Sequence, residues 1–509
     1  MISRTYTAAC LGLDVYPIEV EVDGKQGIPQ FILIGLASRA IEEAKERITS
    51  ALHNCGIRIR SKRTIVNLAP ASVPKSGTAF DLAIVVGLLK MYGELHLQTE
   101  QILFLGELAL DGKIKPVRGA LPIILGAAKL GFKQVVLPNA NIAEVSTVNS
   151  VEIFAIDHLN QLLATPHSQR LTLSAVSPQP FITSAEDKGR DVFAHIVGQH
   201  KAKRGLLLAA AGGHHLLLTG PPGSGKTQLA KALPALLPPL TQAEAIESTA
   251  LFSLIGQAPT GLSIDRPFRA PHHTITRTGL LGGGNPLKPG ELSLAHNGVL
   301  FLDELLEFPG HLLDTLRQPL EDRTISLSFH AGKASFPVGV TLVAATNPCP
   351  CGFYGSLQKA CICSPASVER YQQKLSGPLL DRFDLHVYLD YERQLFDEDI
   401  ATSTRLDKYG EESTSLRTQV ARCRHIQAER YQRLGYSTVT QLTSEQLRST
   451  VSLSTEAQSL LAQTSLEKSS TGRGYWATLR VAQTLADLEE SAQITARHIA
   501  EASSFREMG

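Results

Sequence analysis

Three short stretches combine residue types suited to phosphoryl chemistry. The first is GPPGSGKT, Gly220 to Thr227, with the apolar run Leu216 to Leu218 before it and an Ala/Leu-rich helical pattern after it. Glycines at this spacing let successive backbone N–H groups turn toward phosphate, and the following helix adds its positive end. Gly220, Pro221, Pro222, Gly223, Ser224 and Gly225 form the predicted cradle, with Gln228 just beyond it. Lys226 would reach the β- and γ-phosphates, and the Thr227 hydroxyl would bind Mg²⁺. The second stretch, GVLFLDELLEF, puts Asp303 and Glu304 at the end of an apolar strand. Asp303 suits the Mg²⁺ shell, and Glu304 suits activation of the attacking water as general base. The third, VTLVAATNP, ends another apolar strand at Asn347, whose side chain could orient water near the γ-phosphate. Parallel α/β sheets bind ligands at the carboxyl ends of their strands, so three such ends predict one ATP-hydrolysing site.

A different chemistry is concentrated in NPCPCGFYGSLQKACIC, which holds four of the seven cysteines of the chain as two Cys-x-Cys pairs. Thiolates at Cys349, Cys351, Cys361 and Cys363 could complete a tetrahedral S₄ site, which favours Zn²⁺ or an iron–sulfur centre; Zn²⁺ is the expectation. Gly352 and Gly355 supply the turns that bring the pairs together. Such a closed site would be structural, stiffening a long loop with too few apolar residues to fold alone. Cys10, Cys55 and Cys423 are isolated and read as core fillers.

The elements around these stretches imply several domains, because 509 residues are too many for one core. Hydrophobic residues at 43% and charged residues at 19% give an ordinary globular balance, and a net charge of +1 says nothing about an anionic partner. The longest apolar runs are interrupted by Asp81 and Lys90 or by His214 and His215, and MISRTYTAACLGLD lacks the apolar segment of a signal peptide. A cytoplasmic protein without membrane contact is expected, in a reducing compartment that leaves metal ligation as the use for clustered thiols. Residues 1–165 alternate strand-like runs (PIEVEV, FILIGL, TIVNLAP, QVVLP, VEIFAI) with helical patterns such as SRAIEEAKERITSALHNCG. Residues 166–190, rich in Ser, Pro and Thr, read as a linker. Residues 191–392 again alternate strands and helices, and 393–509 read as helical.

GPPGSGKT, IVGQ (Ile196 to Gln199), FLDE, ATN and LLDRFD together resemble an AAA+ ATPase module. RPFRAPHHT, PGELSLAHNGVLFLDE and AATNPCPCGFYG narrow the resemblance to the magnesium-chelatase-like branch, and the whole arrangement is similar to the YifB/ComM family. The resemblance implies an AAA+ P-loop α/β core with a C-terminal helical lid, and places Ile196, Val197 and Gln199 with the nucleotide. It further implies a homo-oligomeric ring, a hexamer, that migrates branched or single-stranded DNA without sequence preference, in recombination and natural transformation and alongside recombination proteins. In such rings Arg382 of LLDRFD would act as an arginine finger on the neighbouring subunit's ATP. The lid segment TGRGYWATLRVAQTLADLE would supply a second sensor, either Arg473 or Arg480; the two are seven apart and share a helical face. The runs VPKSGTAFDLAIVVGLL and GELALDGKIKPVRGALPIILGAAKLGFKQVVLPNAN resemble an N-terminal Lon-protease-like (ribosomal S5 domain 2-like) α+β domain. Ala79 and Leu121 stand at the positions of that fold's serine and lysine, so a proteolytically inactive scaffold is expected.

Two basic segments are candidates for DNA phosphate contact. RPFRAPHHTITRTGLLGGGNPLKPGE carries Arg266, Arg269, Arg277 and Lys288, with a ring-interface loop as the alternative. TISLSFHAGKASFPVGV reads as a hairpin with Lys333 near its tip, a place where related ring helicases hold the strand. Neither interleaves aromatics with its charges, so backbone-directed, salt-sensitive binding is expected. The competing functional readings are a magnesium-chelatase-type ATPase subunit, against which the front domain would argue, and a protein remodeller.

Overall fold

Two sheets, each beginning from a different local pattern, organise the chain. The computed structural model describes residues 2–506 apart from 29, 36–37, 58–62, 76–77, 165–166, 172, 182–195, 197, 330–331, 357–358, 392–401 and 468–471. The first sheet starts as a hairpin in which Ile2–Leu11 pairs antiparallel with Asp14–Lys25, from Ile2 opposite Asp23 to Leu11 opposite Asp14. Side chains alternate across a strand, so Ile18, Val20 and Val22 are buried while Glu19 and Glu21 remain outside and pair with Arg4. Seven strands follow in the spatial order Gln30–Ile34, Arg63–Ala69, Asp14–Lys25, Ile2–Leu11, Ile102–Phe104, Gln134–Pro138, Glu152–Ile156. Each of the five predicted strand runs overlaps one of these strands, with FILIGL, TIVNLAP and VEIFAI running past one observed end; Ile2–Leu11 and Ile102–Phe104 are additions to them.

The helix Asp81–Tyr92 is apolar almost throughout because it is buried in this half of the molecule. Its one acid, Asp81, is 1% exposed, and Arg47 of the helix Ser38–Asn54 offers it a fork of two hydrogen bonds, 2.9 and 3.2 Å. A bidentate guanidinium offsets much of the desolvation cost that an unpaired buried carboxylate would carry.

The second sheet is wholly parallel. Its five strands run in the order Phe268–Arg269, Val299–Leu302, Thr341–Thr346, Leu216–Thr219, Leu385–Tyr388. Strands covered on both faces read as continuous apolar runs, and all residues of VLFL and of TLVAAT are buried. Beyond it lie the helices Thr402–Tyr431, Ser444–Thr450, Thr455–Glu467, Gly472–Leu488 and Ala496–Ser504. They share one core with the sheet: Leu206, Leu385, Val420, Tyr431, Leu479, Leu485 and Phe505 belong to a single cluster.

The two halves are docked, not merely linked. The helix Ala120–Lys129 of the first half lies on the helix Gln242–Leu254 of the second. Ser253 joins them, accepting from the Gly119 N–H at 2.9 Å and, through Oγ, from the Leu121 N–H at 3.4 Å. At the tip of the first hairpin Gly12 is in the left-handed region, φ 64°, and a Cβ there would sit 3.1 Å from Ala334 Cβ. Residues 182–190 of the predicted linker lie outside the described residues, while Val176 donates to Ile153 O at 2.8 Å along the sheet edge.

Candidate nucleotide site and its flanking elements

The Leu216–Thr219 strand ends at Gly220, whose N–H donates to Thr346 O at 3.2 Å and ties the loop to the strand that leads to Asn347. A Cβ at Gly220 would lie 2.5 Å from Leu389 O, and Gly223 and Gly225 have φ of 78° and 89°, so three positions of GPPGSGKT need glycine for geometry. Ser224 Oγ donates to Pro221 O at 2.9 Å, Pro222 O accepts from the Tyr391 hydroxyl, and Gln228 is exposed on the helix that follows. Lys226 Nζ donates to Gly220 O at 2.7 Å, Pro221 O at 2.8 Å and Asn347 Oδ1 at 3.2 Å. Burial lowers its pKa to about 8, with Asp303 opposing the shift. Thr227 Oγ1 donates to Asp303 Oδ2 at 2.8 Å. Those two oxygens suit Mg²⁺, which takes one or two protein oxygens and leaves its other positions to phosphate and water. The predicted members from all three strand ends therefore meet at one place.

Glu304 follows Asp303 with φ 52° and is 60% exposed on its side chain, its Oε2 lying 3.6 Å from His273 Nδ1. His273 in turn packs on His272, ring centroids 4.0 Å apart, and edge-on to Phe308. Nothing local in RPFRAPHHT, which carries the family resemblance and basic charge, pairs His273 with Glu304. Gln199, φ 50°, donates to Asp390 O at 2.7 Å, while Ile196 belongs to the core; Val197 lies outside the described residues.

The arginines are elsewhere. Leu216 pairs with Leu385 and Thr219 with Tyr388, so Gly220 follows one strand while Arg382 precedes its parallel neighbour. Four residues at about 3.3 Å each separate the two ends by about 13 Å. Arg382 turns to Glu321, which also accepts from Arg473 Nη2 at 3.2 Å through both oxygens. Arg382, Arg473, Arg480, Arg323 and Trp476 line one cleft of about 550 Å³ with Glu321. Behind it His214 bridges Asp384 Oδ2 at 2.9 Å and Thr484 Oγ1 at 2.7 Å, joining the Arg382 loop to the helix that carries Arg473 and Arg480. Burial would raise Asp384, but its bond to His214 wins and holds it at about 2.

The four cysteine sulfurs lie within 4.8 Å of one another, and three of their separations are 3.3, 3.5 and 3.7 Å. A tetrahedron with Zn–S of about 2.3 Å has edges of about 3.8 Å, so the set fits a four-thiolate metal. Backbone N–H groups of Tyr354 and Cys363 donate to Cys349 Sγ and Cys361 Sγ at 3.3 and 3.4 Å. The loop rests on the nucleotide loop: a Cβ at Gly352 would sit 2.5 Å from Pro222 Cδ, and the Tyr388 hydroxyl donates to Tyr354 O at 3.2 Å.

Of the basic residues, Lys333 is exposed and pairs across its hairpin with Ser328; residues 330–331 lie outside the described residues. Lys288 is exposed on a short ribbon opposite Gly283, and a Cβ on the adjoining Gly282 would meet Leu327 of the hairpin at 3.3 Å, so the two candidate segments are neighbours. Arg277 is exposed at the start of a short helix. Arg269 is instead engaged by Glu291 at 2.5 and 2.7 Å, and Arg266 by Glu244, Pro238 O and Asn297 O. In the N-terminal half Leu121 is fully buried, Ala79 packs in the same cluster, and Lys75 donates to Val73 O at 3.1 Å and to Pro70 O.

A five-stranded parallel P-loop sheet with an acidic strand end, a polar strand end and a helical lid defines an AAA+ ATPase fold. Residues 192–395 match the family model for magnesium chelatase, subunit ChlI; residues 410–506 match that subunit's C-terminal model, and 20–141 match a model described as subunit ChlI of Mg-chelatase. That last match removes the expectation that the front domain argues against a chelatase-type subunit. The uncharacterized protein YifB of Escherichia coli is 38% identical over 507 residues, covering 99% of this chain and 97% of that protein. Competence protein ComM of Haemophilus influenzae is 38% identical over 508 residues, with the same shares. Lon protease 2 of Bacillus subtilis is 24% identical over 172 residues, 30% of this chain and 31% of that protein. The chain belongs to the YifB/ComM family of magnesium-chelatase-like AAA+ ATPases. Among the described residues no helix is long and apolar enough to cross a membrane.

Proposed function

We propose that this protein is a cytoplasmic, ring-forming ATPase that uses hydrolysis to move branched DNA, in the recombination that accompanies natural transformation. The observation that carries the ring is the separation of Lys226 from Arg382 by the full length of a strand. A subunit cannot bring both to one γ-phosphate, whereas the next copy can present Arg382, with Arg473 and Arg480 beside it. In this reading Glu304 activates water, Asn347 orients it, and Thr227 and Asp303 hold Mg²⁺. Arg382 stabilises transferring charge in trans, a role worth roughly 10³–10⁵ in rate in other NTPases. The four cysteines hold a structural Zn²⁺, and the N-terminal half acts as a scaffold without peptidase chemistry.

DNA as the substrate is supported by full-length similarity to a competence protein and by the adjacency of the segments that carry Lys333, Lys288 and Arg277. The three magnesium chelatase models support a second reading, an ATPase subunit that powers metal insertion. Migration of a synthetic four-way DNA junction separates them, comparing the protein with Lys226→Ala at matched salt. ATP-dependent migration that the variant lacks supports the motor. Binding without migration by either protein sinks it and turns attention to a protein-borne substrate.

A further inference from the structure

Two features have no part in the nucleotide site. Ile362, between the ligand cysteines Cys361 and Cys363, is 88% exposed, the highest value of any large apolar side chain among the described residues, and Tyr354 of the same loop is 49% exposed. Scattered single exposures are ordinary, but two on one short loop that also contacts the nucleotide loop form a knob. The second feature is a groove of about 750 Å³ in the carboxy-terminal helices, with an apolar wall that includes Leu453, Tyr475 and Trp476 and a polar side formed by Arg448, Ser452 and Gln458. Tyr475 and Trp476 stand edge to face at its wall, centroids 5.1 Å apart. The volume is in the range that takes a drug-sized apolar body, which an isoleucine and a tyrosine together approximate.

We propose that Ile362 and Tyr354 of one subunit insert into this groove on the next copy of the chain. The inference rests on the ring reading above. If one nucleotide is held by Lys226 of one subunit and Arg382 of the next, then whatever flanks Pro222 in the first faces whatever flanks Arg473 in the second. The cysteine loop flanks Pro222, since Gly352 packs on it. The groove flanks Arg473, because Trp476 lines both the groove and the arginine cleft. Knob and hole therefore lie on the two surfaces that a shared nucleotide brings together. They are different patches of one chain, the requirement for a heterologous contact that repeats around a ring. The metal loop then has a second role: it presents an apolar anchor at a fixed distance from the ATP that its own subunit binds.

The chain has one tryptophan, which sits at this groove and reports its occupancy. The experiment uses the full chain carrying Glu304→Gln, so that ATP is bound and not turned over, and follows particle size and Trp476 emission together. ATP should assemble the protein, shift the emission to the blue and lower acrylamide quenching at least twofold. Adding Ile362→Asp should abolish the shift and raise the protein concentration needed for assembly at least tenfold, while bound zinc stays stoichiometric, showing the loop intact. Ile362→Val should behave as the parent. The docking is overturned if the parent assembles with no change at Trp476, or if Ile362→Asp assembles as the parent does. Failure of the parent to assemble with ATP overturns the ring reading instead, and is recognised because the knob is intact in that protein.

Discussion

At the carboxyl end of the parallel sheet one cation, Lys226, lies among carbonyls and Asn347, with Thr227 and Asp303 beside it. At the amino end of the same strands several arginines crowd an acid: Arg382 and Arg473 share Glu321, and Arg480 and Arg323 line the same cleft. The first end has backbone N–H groups and metal ligands but too little positive charge for a triphosphate. The second has four arginines, Arg323, Arg382, Arg473 and Arg480, set among Glu321, Asp322, Asp381 and Asp384, and no cradle. A single carboxylate cannot fully satisfy two guanidinium groups, and Arg382 Nε is buried without a hydrogen-bond partner among the described residues. An incoming phosphate would compete with Glu321 for both. The proposed shared site would take its cradle from the carboxyl end of one subunit and its guanidinium groups from the amino end of the next.

The sharpest way to break this comparison is to disable each end in a different subunit. Lys226→Ala and Arg382→Ala should each lower kcat for ATP hydrolysis by roughly 10³-fold or more. Mixed in equal amounts, the two proteins should recover activity, because a site needs Lys226 from one subunit and Arg382 from its neighbour. With random mixing each requirement is met half the time, so about a quarter of the sites should be competent. Steady-state hydrolysis that stays at the level of the separate variants after mixing would sink the two-ended site.

A smaller effect should be confined to the carboxyl end. Replacing Cys351 and Cys361 together by serine should release the metal and free the loop from Pro222. The KM for ATP should rise about tenfold, while kcat at saturation changes less than in Arg382→Ala, since the arginine cleft is untouched. Metal analysis and initial rates on the same preparation check this. Stoichiometric zinc in the double variant contradicts the four-thiolate assignment.

The carboxyl end was legible from its own chemistry, whereas at the amino end the family resemblance pointed to Arg382, Arg473 and Arg480 but not to the groups that hold them, for a physical reason. Phosphate cradles and metal knots are built from residues close in the chain, because the turns themselves do the positioning. GPPGSGKT and the Cys-x-Cys pairs could therefore be read with their chemistry attached, and Asp303 and Asn347, 76 and 121 residues from Thr227 and Lys226, from the apolar strands that end at them. Glu321 draws its partners from segments 61 and 152 residues away, and His214 reaches Asp384 and Thr484 across 170 and 270. No local spacing encodes such pairs. The same holds for Ser253, which closes the junction of the two halves, and for His273 against Glu304. The strand Ile2–Leu11 escaped because TYTAAC lacks a strong apolar alternation; tertiary pairing with Asp14–Lys25 decides it.

The smallest expected effect sharpens the description of the amino end as a buried, tightly set joint. His215 and His386 stand at the start of neighbouring strands, and burial pushes both down to about 4. Leu342 donates its N–H to His215 Nδ1 at 3.0 Å, so the neutral ring is the form that fits. In the unfolded chain a histidine titrates near pH 6.5, where it takes up a proton that the folded site refuses. The folded pKa lies below the unfolded one, so the stability is fully present above about pH 6.5 and is lost as the pH falls toward 4. Between pH 7.5 and 5.5 each ring should cost about 1.4 kcal/mol, about 3 kcal/mol for the pair. Asp384 does not contribute in this window, since it stays ionised in both states there. The urea midpoint of the ATPase half should fall accordingly, and His215→Asn, whose oxygen can accept from Leu342, should remove about half of the pH dependence. If the midpoint of His215→Asn falls as steeply as that of the parent, the acid sensitivity arises elsewhere and the joint is wetter than its geometry implies.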